Sequence, residues 1–300
     1  MIKGIGVNID TRRVNGSIRR FTEELNFFQR IGFEYVEIPP AALDVIVRGR
    51  IIKNRLERIK DLLGNYHFKY TIHAPDILNL KQKSNPWHFK VMEATILFAK
   101  EIGAESIVYH LGQVNHSLDL TEKEQKIAEI RSMRELAKLA EDNGIKIGVE
   151  NTSQSIDEIL ETVDKINSPN VGLTLDIGHL FISCEYMGVD FYGQVRKGLE
   201  KAVEIHVSDN FGESTNVYWN LRDIEFFQFI YGVGDLHLPI GQGDIPYHRI
   251  LKMIRESSFD GVVILEINSM DRFEEDYKSS FEILKNRLMK KRNGGRRRNQ

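Results

Sequence analysis

The chain has a single cysteine, Cys184, among 300 residues, so no internal disulfide can form, as suits a reducing compartment. It has almost no net charge, with 41 Lys and Arg against 43 Asp and Glu leaving −2. That balance excludes a disordered acidic or basic chain. No apolar run approaches the ~18 residues that cross a bilayer, so no membrane partner is expected. The opening segment MIKGIGVNID lacks an apolar signal-peptide core, and a cytoplasmic location is expected. Prolines number only seven and no Pro/Gly/Ser-rich stretch divides the chain, so a single folded unit is expected.

What is present is ordinary globular composition, 41% hydrophobic and 28% charged, enough for a sizeable core. The charge is unevenly spread. Residues 290–300, KKRNGGRRRNQ, hold six basic and no acidic side chains, which leaves residues 1–289 at −8. The tail reads as a basic, disordered, solvated end. A weak polyanion contact is the sharper reading of it, but a body at −8 is no obvious nonspecific binder of nucleic acid.

Short β-branched apolar runs alternate with longer amphipathic segments. Strands are expected at 2–9, 34–38, 68–73, 105–110, 145–150, 171–176, 203–207 and 262–267. Helical spacing appears in FTEELNFFQRI after Ser17, and in TEKEQKIAEIRSMRELAKLAEDNG, with Thr121 as N-cap, Glu124 three residues on and Gly144 as a stop. Eight strands alternating with helices in one domain, residues 1–289, predict a single α/β (β/α)8 TIM barrel. A doubly wound open sheet would usually carry a Gly-rich phosphate loop after strand one, and NIDTRRVNGS has no G-x-G-x-x-G.

In a barrel the carboxyl ends of the strands share one mouth, where chemistry is found. Read off in order, those ends are Glu37, His73, His110, Glu150, Asp176, His206 and Glu266. Seven successive strands finish on a carboxylate or an imidazole, although fewer than one residue in five is Asp, Glu or His. His179 follows in LTLDIGHLF, and Asp235 and His237 stand two apart in GDLHLPIGQG. A lone histidine at such a place is more often a hydrogen-bonded core residue. The whole set is not, because clustered buried charges are costly unless paired or metal-bound. Mixed imidazole and carboxylate donors suit Zn²⁺, Mn²⁺ or Fe²⁺ better than Mg²⁺ or Ca²⁺.

The motifs IHAPDILNL, IVYHLG, IGVENT, LTLDIGHLF, EIHVSDN, DLHLPIGQGDI and ILEIN together resemble the xylose-isomerase-like TIM-barrel superfamily over roughly residues 2–285. That superfamily includes sugar and sugar-phosphate isomerases and epimerases, and endonuclease IV. The resemblance implies a core metal-ligand set of Glu150, Asp176, His206 and Glu266, with the two glutamates as a proton-transfer pair. The endonuclease IV branch adds ligands that match His73, His110, His179, Asp235 and His237 and complete a three-zinc cluster. All nine residue types are present, which implies one to three divalent ions, zinc or manganese. His179, if not a ligand, would hold a substrate hydroxyl and join Glu150 and Glu266 as a catalytic residue.

Two departures point away from the nuclease. Ala74-Pro75-Asp76-Ile77 places an acid where endonuclease IV presents an aromatic to the DNA stack, and VEIPP, with Glu37, looks more like the isomerase branch. The resulting expectation is a divalent-metal-dependent isomerase or epimerase of a sugar or sugar phosphate, working through a metal-stabilised enediolate. The alternative is an endonuclease IV-like hydrolase cutting at abasic DNA sites. A barrel that binds metal without turnover is a third reading, which the density of acids disfavours.

Other features carry less. Residues 207–234 form a long connection holding Phe211, Tyr218, Trp219, Phe226, Phe227, Phe229 and Tyr231, which reads as a lid, a homodimer contact or local packing. Gly241-Gln242-Gly243, before a helix starting near Pro246, is either a phosphate-holding turn or a plain tight turn. His67, His88, His116 and His248 fit surface or capping roles, and Cys184 fits a packed thiol.

Overall fold

The protein, described by a computed structural model over residues 1–82, 85–214, 230, 232–267 and 274–289, is a single (β/α)8 barrel. The barrel strands are β1 (Gly4–Asn8), β2 (Tyr35–Ile38), β5 (Lys69–His73), β6 (Ser106–His110), β7 (Lys146–Glu150), β8 (Val171–Asp176), β9 (Ala202–Val207) and β10 (Val262–Leu265). All eight pair in parallel and close in the order β1-β10-β9-β8-β7-β6-β5-β2. Each expected strand is present, most with trimmed ends: the first begins at Gly4 and the last stops at Leu265, one residue before Glu266, while Val171–Asp176 keeps its expected bounds and Ala202–Val207 starts one residue early. An insertion after β2 that sequence patterning did not reveal forms a small antiparallel hairpin, β3 (Ile46–Val47) and β4 (Arg50–Ile51). Its two-residue strands are too short for an alternation to register.

Local sequence rules set the helices. The helix Ile18–Ile31 starts at Ser17, whose hydroxyl accepts the Arg20 N–H, and ends at Gly32, where φ of 102° needs a glycine. Thr121 and Glu124 form a reciprocal capping box at the start of Glu122–Asp142.

Two interiors result. The outer faces of the strands and the inner faces of the helices enclose the main apolar core. Phe28 packs there with Phe27, Phe33 and Tyr277, at ring-centroid distances of 5.7, 5.9 and 5.8 Å. Burying one such ring contributes roughly 1.5–3 kcal/mol. Inside the barrel the apolar residues form a separate small cluster of Tyr35, Val262 and Ile264. Above it the interior turns polar with Thr71, Thr174, Glu37, Glu204 and His206, all fully buried. Alternation along β9 explains the pairing, since Ile205 and Val207 face the helices while Glu204 and His206 face inward. Among the described residues no helix is long and apolar enough to cross a membrane.

Candidate active site

His206 is the centre of the polar interior. Its Nδ1 lies 3.3 Å from Glu150 Oε1 and 3.1 Å from Glu266 Oε2. Its Nε2 lies 3.3 Å from Glu37 Oε2 and 3.8 Å from Glu204 Oε1. Glu150, Asp176, His206 and Glu266 each turn one donor atom into a common space, all within 4.8 Å of one another. Asp176 is also the N-cap of helix Ile177–Met187, accepting the His179 N–H at 2.6 Å. Asn151 fixes it further, donating to the Asp176 carbonyl and accepting the Asp176 N–H. The cap spacing brings His179, one turn on, back over the same mouth.

Two flanking groups complete the arrangement. On one side His110 Nε2 and His73 Nε2 lie 2.8 and 3.4 Å from Glu150 Oε2. The two rings meet edge-on at 4.8 Å. On the other side His179 Nε2 and His237 Nε2 both reach Asp235 Oδ2, at 2.9 and 2.7 Å. His237 adopts a left-handed backbone with φ of 46°, rare for a residue with a Cβ, and this turns its ring into the mouth. The structure thus brings together every residue singled out from the sequence: Glu150, Asp176, His206, Glu266, His73, His110, His179, Asp235 and His237.

Three of these histidines share one feature. His73, His179 and His237 each place Nδ1 on a backbone carbonyl, those of Ala74 (2.9 Å), Asn151 (3.1 Å) and Glu266 (2.9 Å). A carbonyl only accepts, so each Nδ1 donates its proton and each Nε2 is left facing a carboxylate.

Burial and neighbouring charge oppose each other throughout the cluster. Burial opposes the charge of His206, yet Glu37, Glu150 and Glu266 outweigh it and raise its pKa well above the ordinary imidazole value. His237 behaves alike: burial lowers it, Asp235 overrides, and it rises to about 10. Burial would raise Glu150 and Glu266, but His206 overrides it in both, holding Glu150 well below the carboxylate range and Glu266 at about 2. Burial pushes Asp176 up to about 6, with His179 pulling the other way.

The donors fit such cations. Glu150 Oε1, Asp176 Oδ2, Asp235 Oδ1 and both nitrogens of His206 are buried with no hydrogen-bond partner among the described residues. Polar atoms so placed are normally satisfied. The mixed N and O set matches zinc or manganese rather than an oxygen-only calcium or magnesium site. Above it opens a cavity of about 520 Å³ lined by Asn8, Asp10, Arg12, Ile77, His110 and Glu266 among others. This is room for a small molecule.

Several functional neighbours escaped sequence reasoning. Glu204 stands two residues before His206 on the same strand, so strand alternation could have found it. Glu37 was legible as a strand end but not as a partner of His206. Asp76 lies 3.4 Å from His73 Nδ1 and 3.7 Å from His110 Nδ1, near enough to bias both rings. The Gly241 turn is a plain turn, and its phosphate-holding reading is corrected: the Asp209 carboxylate accepts the Gly241 N–H at 2.8 Å and the Ile245 N–H at 3.2 Å. The anion that turn binds is built into the chain. Cys184 is a buried thiol on a helix, pushed up to about 11 by burial. His67, His116 and His248 are exposed, and His88 accepts the Asn79 N–H. Of the aromatic connection, Phe211 is partly exposed; Tyr218, Trp219, Phe226, Phe227, Phe229 and Tyr231 lie outside the described residues, as does the 290–300 tail.

A closed barrel with imidazoles and carboxylates gathered at the carboxyl ends of its strands carries its polar cluster where TIM barrels carry their active sites. The model of the xylose isomerase-like TIM barrel family matches residues 25–287, and the chain belongs to that family. Similar solved structures include a D-tagatose 3-epimerase-like protein, 24% identical, with TM-score 0.73 over 95% of this chain and 97% of that one. A D-psicose 3-epimerase from Clostridium cellulolyticum H10, solved with D-tagatose, is 13% identical, with TM-score 0.69 over 95% and 99%. The IolI protein, whose structure holds a zinc atom, is 19% identical, with TM-score 0.65 over 95% and 96%. At these identities the likeness is one of fold. An uncharacterized protein of Methanocaldococcus jannaschii is 25% identical over 244 residues, 78% of this chain and 74% of the relative.

Proposed function

We propose that the chain is a divalent-metal-dependent isomerase or epimerase acting on a sugar or sugar phosphate in the cytoplasm. The observation that carries this reading is the pair Glu150 and Glu266, both held ionised, on strands three places apart around the ring, aimed at one point beside His206 Nδ1. Glu150, Asp176, His206 and Glu266 would hold the cation, zinc or manganese; His73 with His110, and His179 with Asp235 and His237, offer places for further ions. When bound, the cation would polarise adjacent carbonyl and hydroxyl oxygens and so acidify the carbon-bound hydrogen between them.

The chain's own groups do the rest. A carboxylate oxygen of Glu150 takes the proton from carbon on one face and later releases it to water, while Glu266, after taking a proton from water or a substrate hydroxyl, delivers it to carbon on the other face, which inverts the stereocentre or moves the carbonyl. Both aim an oxygen at the space beside His206 Nδ1. Arg12 lines the cavity, held by Asp10 at 3.1 Å, and places a guanidinium beside substrate hydroxyls or a phosphate. His179, braced by Asn151 and Asp235, holds a substrate hydroxyl at the rim. The sugar epimerase names among the fold relatives support the same substrate class.

The test is exchange of carbon-bound hydrogen. Protein loaded with Zn²⁺ or Mn²⁺ and incubated with ketoses and ketose phosphates in deuterated water should place deuterium next to the carbonyl, and Glu266→Gln should not. A Glu266→Gln protein with full activity on the true substrate contradicts the assignment.

One observation favours a second reading, abasic-site phosphodiester hydrolysis like that of endonuclease IV. The His73–His110 and His179–Asp235–His237 groups supply more donors than a single ion uses. Nicking of an abasic-site duplex with Zn²⁺ or Mn²⁺, tested across a range of salt, separates the two readings.

A further inference from the structure

His206 differs from the other histidines of the mouth. Where His73, His179 and His237 rest Nδ1 on a backbone carbonyl, His206 has no carbonyl partner, and its Nδ1 is the nitrogen that faces Glu150 and Glu266. Its Nε2 points down into the barrel, towards Glu37 Oε2 and Glu204 Oε1. These two acids are fully buried and do not line the cavity. Each has one oxygen already engaged: Asn8 donates to Glu37 Oε1 at 2.6 Å, and Ser106 donates to Glu204 Oε2 at 2.5 Å. The other oxygen of each, like His206 Nε2 itself, has no hydrogen-bond partner. Two carboxylates therefore arrive from β2 and β9, anchored by β1 and β6, with their remaining acceptors turned on one ring nitrogen.

We propose that Glu37 and Glu204 form a buried clamp on Nε2 of His206 that fixes the ring's tautomer and orientation, leaving Nδ1 as the atom that holds a divalent cation. They are positioning residues. An ionised carboxylate only accepts, and Glu37, at 3.3 Å the nearer of the two, draws the proton of the neutral imidazole to Nε2 and leaves the lone pair on Nδ1. The clamp does for His206 what backbone carbonyls do for the other three, with the nitrogens exchanged. An acceptor behind a ligating imidazole also makes it more basic, and its removal typically costs 10- to 100-fold in metal affinity. The inference rests on the reading that His206 is a cation ligand.

Cation affinity, ring tautomer and fold stability together test it. Zn²⁺ binding should be measured by competition with a chromophoric chelator for the wild-type chain, for Glu37→Gln with Glu204→Gln, and for Thr152→Ala, outside the lining of the cavity, as a control. The double variant should bind Zn²⁺ about 10- to 100-fold more weakly while its metal-free melting temperature is unchanged or higher, because two buried charges have been removed. The control should match wild type. Affinity within twofold of wild type in the double variant overturns the clamp and leaves the metal-dependent reading standing. A wild-type chain that binds no Zn²⁺, Mn²⁺ or Co²⁺ overturns both. Should the variant fail to fold, the long-range ¹⁵N spectrum of zinc-loaded wild type decides alone. A proton on His206 Nε2 with zinc on Nδ1 supports the clamp, and the reverse overturns it.

Discussion

The two interiors of the barrel obey opposite rules. Between strands and helices lies an apolar layer in which Phe28, Leu25, Ile59 and Val195 are fully buried among their own kind. Inside the strands, a thin apolar plug of Tyr35, Val262 and Ile264 gives way to acids and imidazoles, several of whose buried atoms have no partner. The outer layer stabilises the fold through burial. The inner one costs stability, because carboxylates and imidazoles are desolvated there side by side. The fold thus separates the residues that hold it together from those that are poised to react.

That separation can be broken at either side. Phe28→Ala removes a ring from the outer layer and should cost about 3–5 kcal/mol in chemical denaturation, with cation binding by the surviving folded protein unchanged. Glu266→Gln should do the reverse, lowering turnover by about 10²–10⁴-fold while leaving the metal-free melting temperature at or above that of wild type. A Glu266→Gln protein that unfolds as readily as Phe28→Ala would erase the distinction. Adding Zn²⁺ at about a hundred times its dissociation constant should stabilise wild type by about 2.7 kcal/mol, and His206→Ala should lose most of that gain. The smallest effect belongs to the periphery. Thr121→Ala breaks the capping box of helix Glu122–Asp142 and should cost about 1 kcal/mol with no change in cation affinity.

Most of the barrel was legible because its signals are local and periodic. Val171–Asp176 is a continuous buried strand that reads as an apolar run, and Thr121 with Glu124 marks a helix start without any tertiary knowledge. The hairpin at Ile46–Ile51 was not legible, since pairs of residues carry no period. The mouth was legible for a different reason: the barrel rule converts strand ends into neighbours, so His73 and Glu266 could be placed together although far apart in the chain. What that rule cannot supply is depth. Glu204 sits below the mouth on the inward face of β9, and only the closed ring shows it meeting Glu37 across His206. Nor could sequence tell that the Gly241 turn is occupied by Asp209, whose carboxylate comes from over thirty residues away.

The chemistry of the mouth depends on whether it holds divalent cations. Metal content per chain by mass spectrometry, on protein equilibrated with Zn²⁺ and Mn²⁺ and then desalted, measures this directly. At least one tightly held ion per wild-type chain, lost when His206→Ala is combined with Glu150→Gln, is the expected result. A wild-type chain carrying no ion above background, or a double variant carrying as many as wild type, would contradict it.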